Sequence, residues 1–85
     1  MKPKPRRIAA RPDPEAWSDT DPLSLEEAAA LMFPDGPYTA STLRSCYRQG
    51  FLEVTILARK LTTNKRAIRE MMEAARRPPR KHAGT

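Results

Sequence analysis

Nine prolines in 85 residues leave few places where this chain can form regular structure. Five lie within residues 1–22, Pro34 and Pro37 bracket Asp35-Gly36, and Pro78-Pro79 follow the last apolar stretch. Proline lacks a backbone N–H and clashes with the preceding helical turn, so each one marks an end or an extended segment. The uninterrupted stretches have room for short helices and short strands. We therefore expect one small domain over residues 23–77, with a disordered proline-rich arm at 1–22 and a basic tail at 78–85.

Within that domain the punctuation is specific. In "LSLEEAAALM", Ser24 and Glu27 have capping-box spacing, and Leu23 and Ala28 occupy the hydrophobic-staple positions. Leu25, Ala28, Ala29 and Met32 recur at helical spacing, and Pro34 ends the helix. "PDGP" is turn chemistry. Thr39 then caps a second helix running to about Gln49, with Leu43, Cys46 and Tyr47 inward and Gly50 as the residue beyond its end. "FLEVTILARKLTT" alternates and is rich in β-branched residues, which predicts a hairpin turning near Ala58-Arg59. Thr63 or Asn64 caps a last helix whose inner face is Ile68, Met71, Met72 and Ala75. The fold class is mainly α with a small β-hairpin, and two short helices joined by a tight polar turn meet the requirement of a helix-turn-helix.

The flanks carry no helical or alternating pattern. Trp17 is the exception in the arm, and we expect it to tuck onto its own domain rather than onto a neighbouring molecule. The opening is basic but continues into Pro, Asp and Glu, so it does not read as a signal peptide. No stretch approaches the roughly 20 apolar residues that cross a bilayer.

Charge is segregated. Residues 1–11 carry +5, residues 12–43 carry −7 and residues 44–81 carry +8. A basic second half favours a polyanion, because Lys and Arg release counterions from phosphates. Catalysis finds little support: His82 is alone in the tail, and Cys46 sits on an apolar helix face. One cysteine excludes an internal disulfide and, with one histidine, a zinc finger. We expect no cofactor, no metal, no enzymatic activity and a cytoplasmic, nucleoid-associated location.

The second helix is the most informative element. Thr39, Ala40, Ser41 and Thr42 are small and stand at an N-terminus whose free amides favour an anion. Arg44 and Arg48 are i, i+4 neighbours on its outer face, with Ser45 beside them and no acid nearby in sequence. Arginine can hydrogen-bond guanine O6 and N7 together, so this face has the side chains for major-groove readout. Arg59 and Lys60 fall at the hairpin tip, within reach of flanking phosphates.

In this order, "LSLEEAAALM", "YTASTLRSCYRQGFLEVTI" and "RKLTTNKRAIREMM" resemble the excisionase-like winged helix-turn-helix proteins of the MerR-type superfamily, over residues 23–75. The resemblance implies major-groove contacts from Ala40, Ser41, Arg44, Ser45 and Arg48, and a wing carrying Arg59 and Lys60 over an adjacent minor groove or its phosphates. The chain departs from the family in a longer turn, "FPDGP", and in a wing tip without glycine. The family includes recombination directionality factors, which bind repeated sites on double-stranded DNA, bend it and help a separate integrase excise a mobile element.

A single small domain reads few base pairs, so selectivity calls for further copies bound side by side. The acidic stretch with Asp13, Trp17, Asp19 and Asp21 complements Lys65, Arg66 and Arg69 of the last helix, which permits head-to-tail assembly or the same pairing within one chain. Lys65, Arg66, Arg69 and the arm residues Lys2, Lys4, Arg6 and Arg7 are the further candidates for phosphate or neighbour contact. The rivals are a transcriptional regulator with the same domain, a phage terminase small subunit, and a protein-binding module such as an antitoxin.

Overall fold

A computed structural model describes residues 4–77. It is a mixed α/β fold of four helices and a three-stranded antiparallel sheet, with one additional 3-10 turn. In chain order these are α1 (Arg6–Ala10), the 3-10 turn (Pro14–Ala16), β1 (Leu23–Ser24), α2 (Leu25–Met32), α3 (Ala40–Arg48), β2 (Thr55–Leu57), β3 (Lys60–Thr63) and α4 (Lys65–Ala75). The sheet order is β1-β3-β2. Among the described residues no helix is long and apolar enough to cross a membrane.

The caps form as the sequence predicts. Glu27 N donates to Ser24 Oγ at 3.1 Å, and Ser24 N donates to Glu27 Oε1 at 2.9 Å. These two bonds satisfy backbone donors that the first turn of α2 leaves free. Leu25, Ala28 and Ala29 are buried as expected, but Leu31 is fully buried where Met32 is only half-buried. The reason lies in the packing: α2 is covered by α1, α3, β1 and β3, so more than one side of it faces apolar neighbours. A single-stripe reading underestimates such a helix.

Thr39 and Thr42 reciprocally cap α3, each backbone N–H donating to the other's Oγ1 at 3.3 Å. The helix ends in a Schellman motif: Phe51 N donates to Cys46 O at 2.8 Å and Gly50 N to Tyr47 O at 3.0 Å. The motif requires a left-handed residue, and Gly50 has φ +84°. Leu43 is buried, with Cys46 and Tyr47 half-buried against the core.

The hairpin pairs Thr55 with Thr62, Ile56 with Leu61 and Leu57 with Lys60. Ala58 and Arg59 make its two-residue tip, at φ 52° and 67°. Asn or Gly normally occupies such positions, and an L-residue with a Cβ there costs about 1 kcal/mol or more. The third strand, β1, pairs Leu23 with Thr63 and Ser24 with Thr62. Asn64 caps α4, accepting from Ala67 N at 2.7 Å. Ala67, Ile68 and Met71 are buried, but Met72 is 41% exposed and Ala75 is exposed, contrary to expectation. The buried stripe sits toward the start of α4, and the end of the helix runs beyond the core.

The main correction concerns the arm. Residues 5–21 are folded, with Ile8 and Trp17 in the same core as Leu23, Leu31, Leu43 and Ile68. These two side chains supply apolar area that a domain of this size needs. Hydrogen bonds fix the segment. Trp17 Nε1 donates to Arg11 O at 2.8 Å, and Arg66 N donates to Asp19 O at 3.1 Å. Lys65 Nζ donates to Pro14 O at 2.7 Å and Trp17 O at 2.9 Å. Prolines do not oppose the folding of this strap, residues 5–21, because Pro5 stands at the N-cap of α1 and Pro14 opens the 3-10 turn, where no proline N–H is needed. Lys2, His82 and the segment 78–85 lie outside the described residues.

Candidate nucleic-acid interface

Two sets of cations can be distinguished by what surrounds them. The first belongs to the strap and α4. Arg7 donates to Glu27 Oε1 at 3.0 Å and to Pro22 O at 3.2 Å, with its guanidinium 5.1 Å from the Trp17 ring centre. Arg11 lies 4.2 Å from the same ring, donates to the Ala16 carbonyl and sits 4.0 Å from Asp21. The indole is thus covered by two guanidiniums, a favourable contact with its π face.

Across the strap, Asp19 accepts two hydrogen bonds from Arg69, at 3.0 and 3.2 Å, and lies 3.8 Å from Lys65. The hydrogen bonds from Arg69 hold the Asp19 carboxyl below its ordinary range, helped by the charges of Arg69, Lys65 and Arg66. The backbone N–H of Ser18 does the same for Asp21, with smaller help from Arg11 and Arg7. The same Asp19 contact raises Arg69. Arg66 pairs with Glu70 at 3.4 Å within α4, and Arg76, just beyond the end of the helix, pairs with Glu73 at 3.5 Å.

The candidates for self-association are therefore engaged inside the chain. Asp13 caps the 3-10 turn by accepting from Glu15 N, Trp17 is 3% exposed, Asp21 accepts from Ser18 N, and Asp19 binds α4. Of the two arrangements that the charge pattern permits, the folded chain adopts pairing within itself. Lys65 is buried with its ammonium on two carbonyls, which removes it as a phosphate contact. Arg7 is half exposed and borders the cleft that Arg44 and Lys60 also line, but its guanidinium is matched by Glu27.

The second set is Arg44 and Arg48 on α3 with Arg59 and Lys60 at the hairpin tip. No acid among the described residues pairs with any of them. Arg44, Arg59 and Lys60 border one cleft of about 730 Å³ between the start of α2 and β3, to which α3 contributes Arg44, α1 contributes Arg7, and α2 contributes Glu26 and Glu27. The capping box fixes the start of α2 and the two-residue turn fixes the tip that carries Arg59, so local backbone geometry sets parts of the cleft on both sides. Lys4 and Arg6, at the start of the strap, are exposed and also without an acid partner among the described residues.

On α3, Ser41, Arg44, Ser45 and Arg48 are exposed. Ala40 is half-buried against the core, and the Thr39 and Thr42 hydroxyls are used in the cap. Ala40 therefore belongs to the fold rather than to the outer face. Ser45 Oγ accepts from Gln49 Nε2 at 3.4 Å. Sequence reasoning missed the contribution of α2, whose Glu26 and Glu27 line the cleft. Glu27 is legible in sequence only as a cap, and the direction in which that helix end faces is set by tertiary packing. No family model matches the chain, and neither a curated protein nor a solved structure matches it.

Proposed function

We propose that this chain is a sequence-specific, non-enzymatic DNA-binding protein. In this reading α2 and α3 form a helix-turn-helix, α3 lies in the major groove, and the β2–β3 hairpin is a wing beside it. The observation that carries it is the placement of the acid-free cations: Arg44, Arg59 and Lys60 border one cleft, while the α4 and strap arginines closest to acids are matched. A helix presenting Ser41, Arg44, Ser45 and Arg48 outward has donors for base edges and phosphates alike. Lys4 and Arg6 are further candidates for backbone contact.

Within this class we favour an excisionase, or recombination directionality factor, working with a separate integrase on a mobile element. The sequence resemblance over residues 23–75 supports that choice. Further copies on DNA remain part of the reading, through contacts other than Asp19 with Lys65 and Arg69. Selection from a random-sequence duplex pool, followed by mobility-shift titration, tests the proposal. Arg44→Ala and Arg48→Ala should each cost about 1–3 kcal/mol on a recovered sequence and relax its preference. Recovery of no preferred duplex, or binding untouched by Arg44→Ala, would remove α3 from the groove.

A further inference from the structure

The hairpin ends in an apolar side chain that stands mostly in solvent, at the lip of a groove that Lys60, Thr55 and Glu53 also line. Leu57 is 75% exposed and its neighbour Ile56 is 58% exposed, both on the edge strand of the sheet. Leu57 is the direct cross-strand partner of Lys60, so the two side chains stand on the same face at the end of the ladder. Arg59 occupies the turn between them. The tip therefore carries one large apolar group flanked by two cations that no acid among the described residues matches.

That combination selects among partners. An apolar protein surface would bury Leu57 at the cost of desolvating Arg59 and Lys60 without counter-charges. A DNA minor groove offers negative potential for the cations and apolar base faces for the leucine. Geometry adds a constraint. Two paired strands are about 5 Å apart and the undistorted minor groove is about 6 Å wide, so the whole ribbon cannot enter while a single side chain can. The turn holds no glycine, so its two residues, both at positive φ, have fewer conformations open to them than a glycine tip would.

We propose that Leu57 is a wedge: it enters a base step in the minor groove next to the site read by α3, unstacks that step and kinks the duplex. This rests on the DNA-binding reading above and supplies its bending device. Arg59 and Lys60 hold the flanking phosphates while the step opens. The expected kink is about 20–90°, directed toward the major groove.

The test uses the full chain and duplexes recovered from a random pool, with dyes at the duplex ends to report bending. 2-Aminopurine, placed in turn at pyrimidine–purine steps, reports unstacking. Wild type and Leu57→Met should shorten the end-to-end distance and brighten one 2-aminopurine position. Leu57→Ala should lose about half or more of the bend and the brightening, with affinity falling roughly tenfold or less. Lys60→Ala should weaken binding and leave the bend of the saturated complex in place. A Leu57→Ala complex as bent as wild type overturns the wedge while leaving DNA binding intact. So does a Leu57→Ala change that abolishes dimers in sedimentation without altering the bend, since the patch would then serve a second copy. If the pool yields no bound duplex, the DNA-binding reading falls first and the wedge with it.

Discussion

Arg69 and Arg44 are both exposed arginines on capped helices, yet one is bound and the other free. Arg69 of α4 makes two hydrogen bonds to Asp19, far away in sequence, and helps hold the strap in place. Arg44 of α3 has no acid partner among the described residues and borders a cleft with Arg59 and Lys60. The difference teaches that a basic composition is a poor guide to a basic surface. Part of this chain's positive charge is consumed in closing its own fold. What remains for a polyanion is the part the fold leaves unmatched.

The two regions should respond oppositely to substitution. Trp17→Ala should have the largest effect, about 3–5 kcal/mol of lost stability in denaturant unfolding, because it empties a core position and unseats the strap. Arg44→Ala and Arg59→Ala should leave the unfolding midpoint within about 0.5 kcal/mol of wild type. Next comes Lys65→Met, expected to cost about 2 kcal/mol, since the Pro14 and Trp17 carbonyls lose a charged donor. A stable Lys65→Met protein with impaired DNA binding would place Lys65 in the wrong region. On the other side, Ala58→Asn relieves a left-handed alanine and should raise stability by about 0.5–1 kcal/mol. If thermal unfolding instead moves down, the tip conformation is wrong.

The smallest effect is expected in acid. Asp19 and Asp21 both titrate below their ordinary value of 3.8 in the folded chain. Their contribution is therefore complete above that value and is lost as pH falls through the depressed folded values. Trp17 fluorescence should report loosening of the strap only below about pH 4. Loosening between pH 5 and 7 would point to another group.

Much of the fold was legible because its boundaries are set by local chemistry. Ser24, Thr39 and Asn64 as caps, Gly50 as a left-handed terminator and Pro34 as a stop each act within a few residues of themselves. The hairpin was legible from alternation, although its tip lacks the usual residues. The strap was not, because its order comes from two isolated apolar side chains and from Lys65, a lysine that at the start of a helix reads as solvated. β1 has two residues, too few to show any period. In the candidate site, Arg44, Arg59 and Lys60 were identifiable by type and position. Which cations were spent elsewhere was not, since the Asp19–Arg69 and Arg7–Glu27 contacts join segments distant in sequence. Met72 and Ala75 were misplaced for a related reason: periodicity gives a face, but not how far along a helix the core extends.

The most direct test of the division between spent and free cations is the salt dependence of DNA binding. On one recovered duplex, log affinity against log salt should lose about two units of slope when Arg59 and Lys60 are both changed to Ala. Changing Arg7 and Arg69 together to Gln, measured where the protein remains folded, should leave the slope unchanged. An unaltered slope for the hairpin pair, or an equal loss for Arg7 and Arg69, would contradict it.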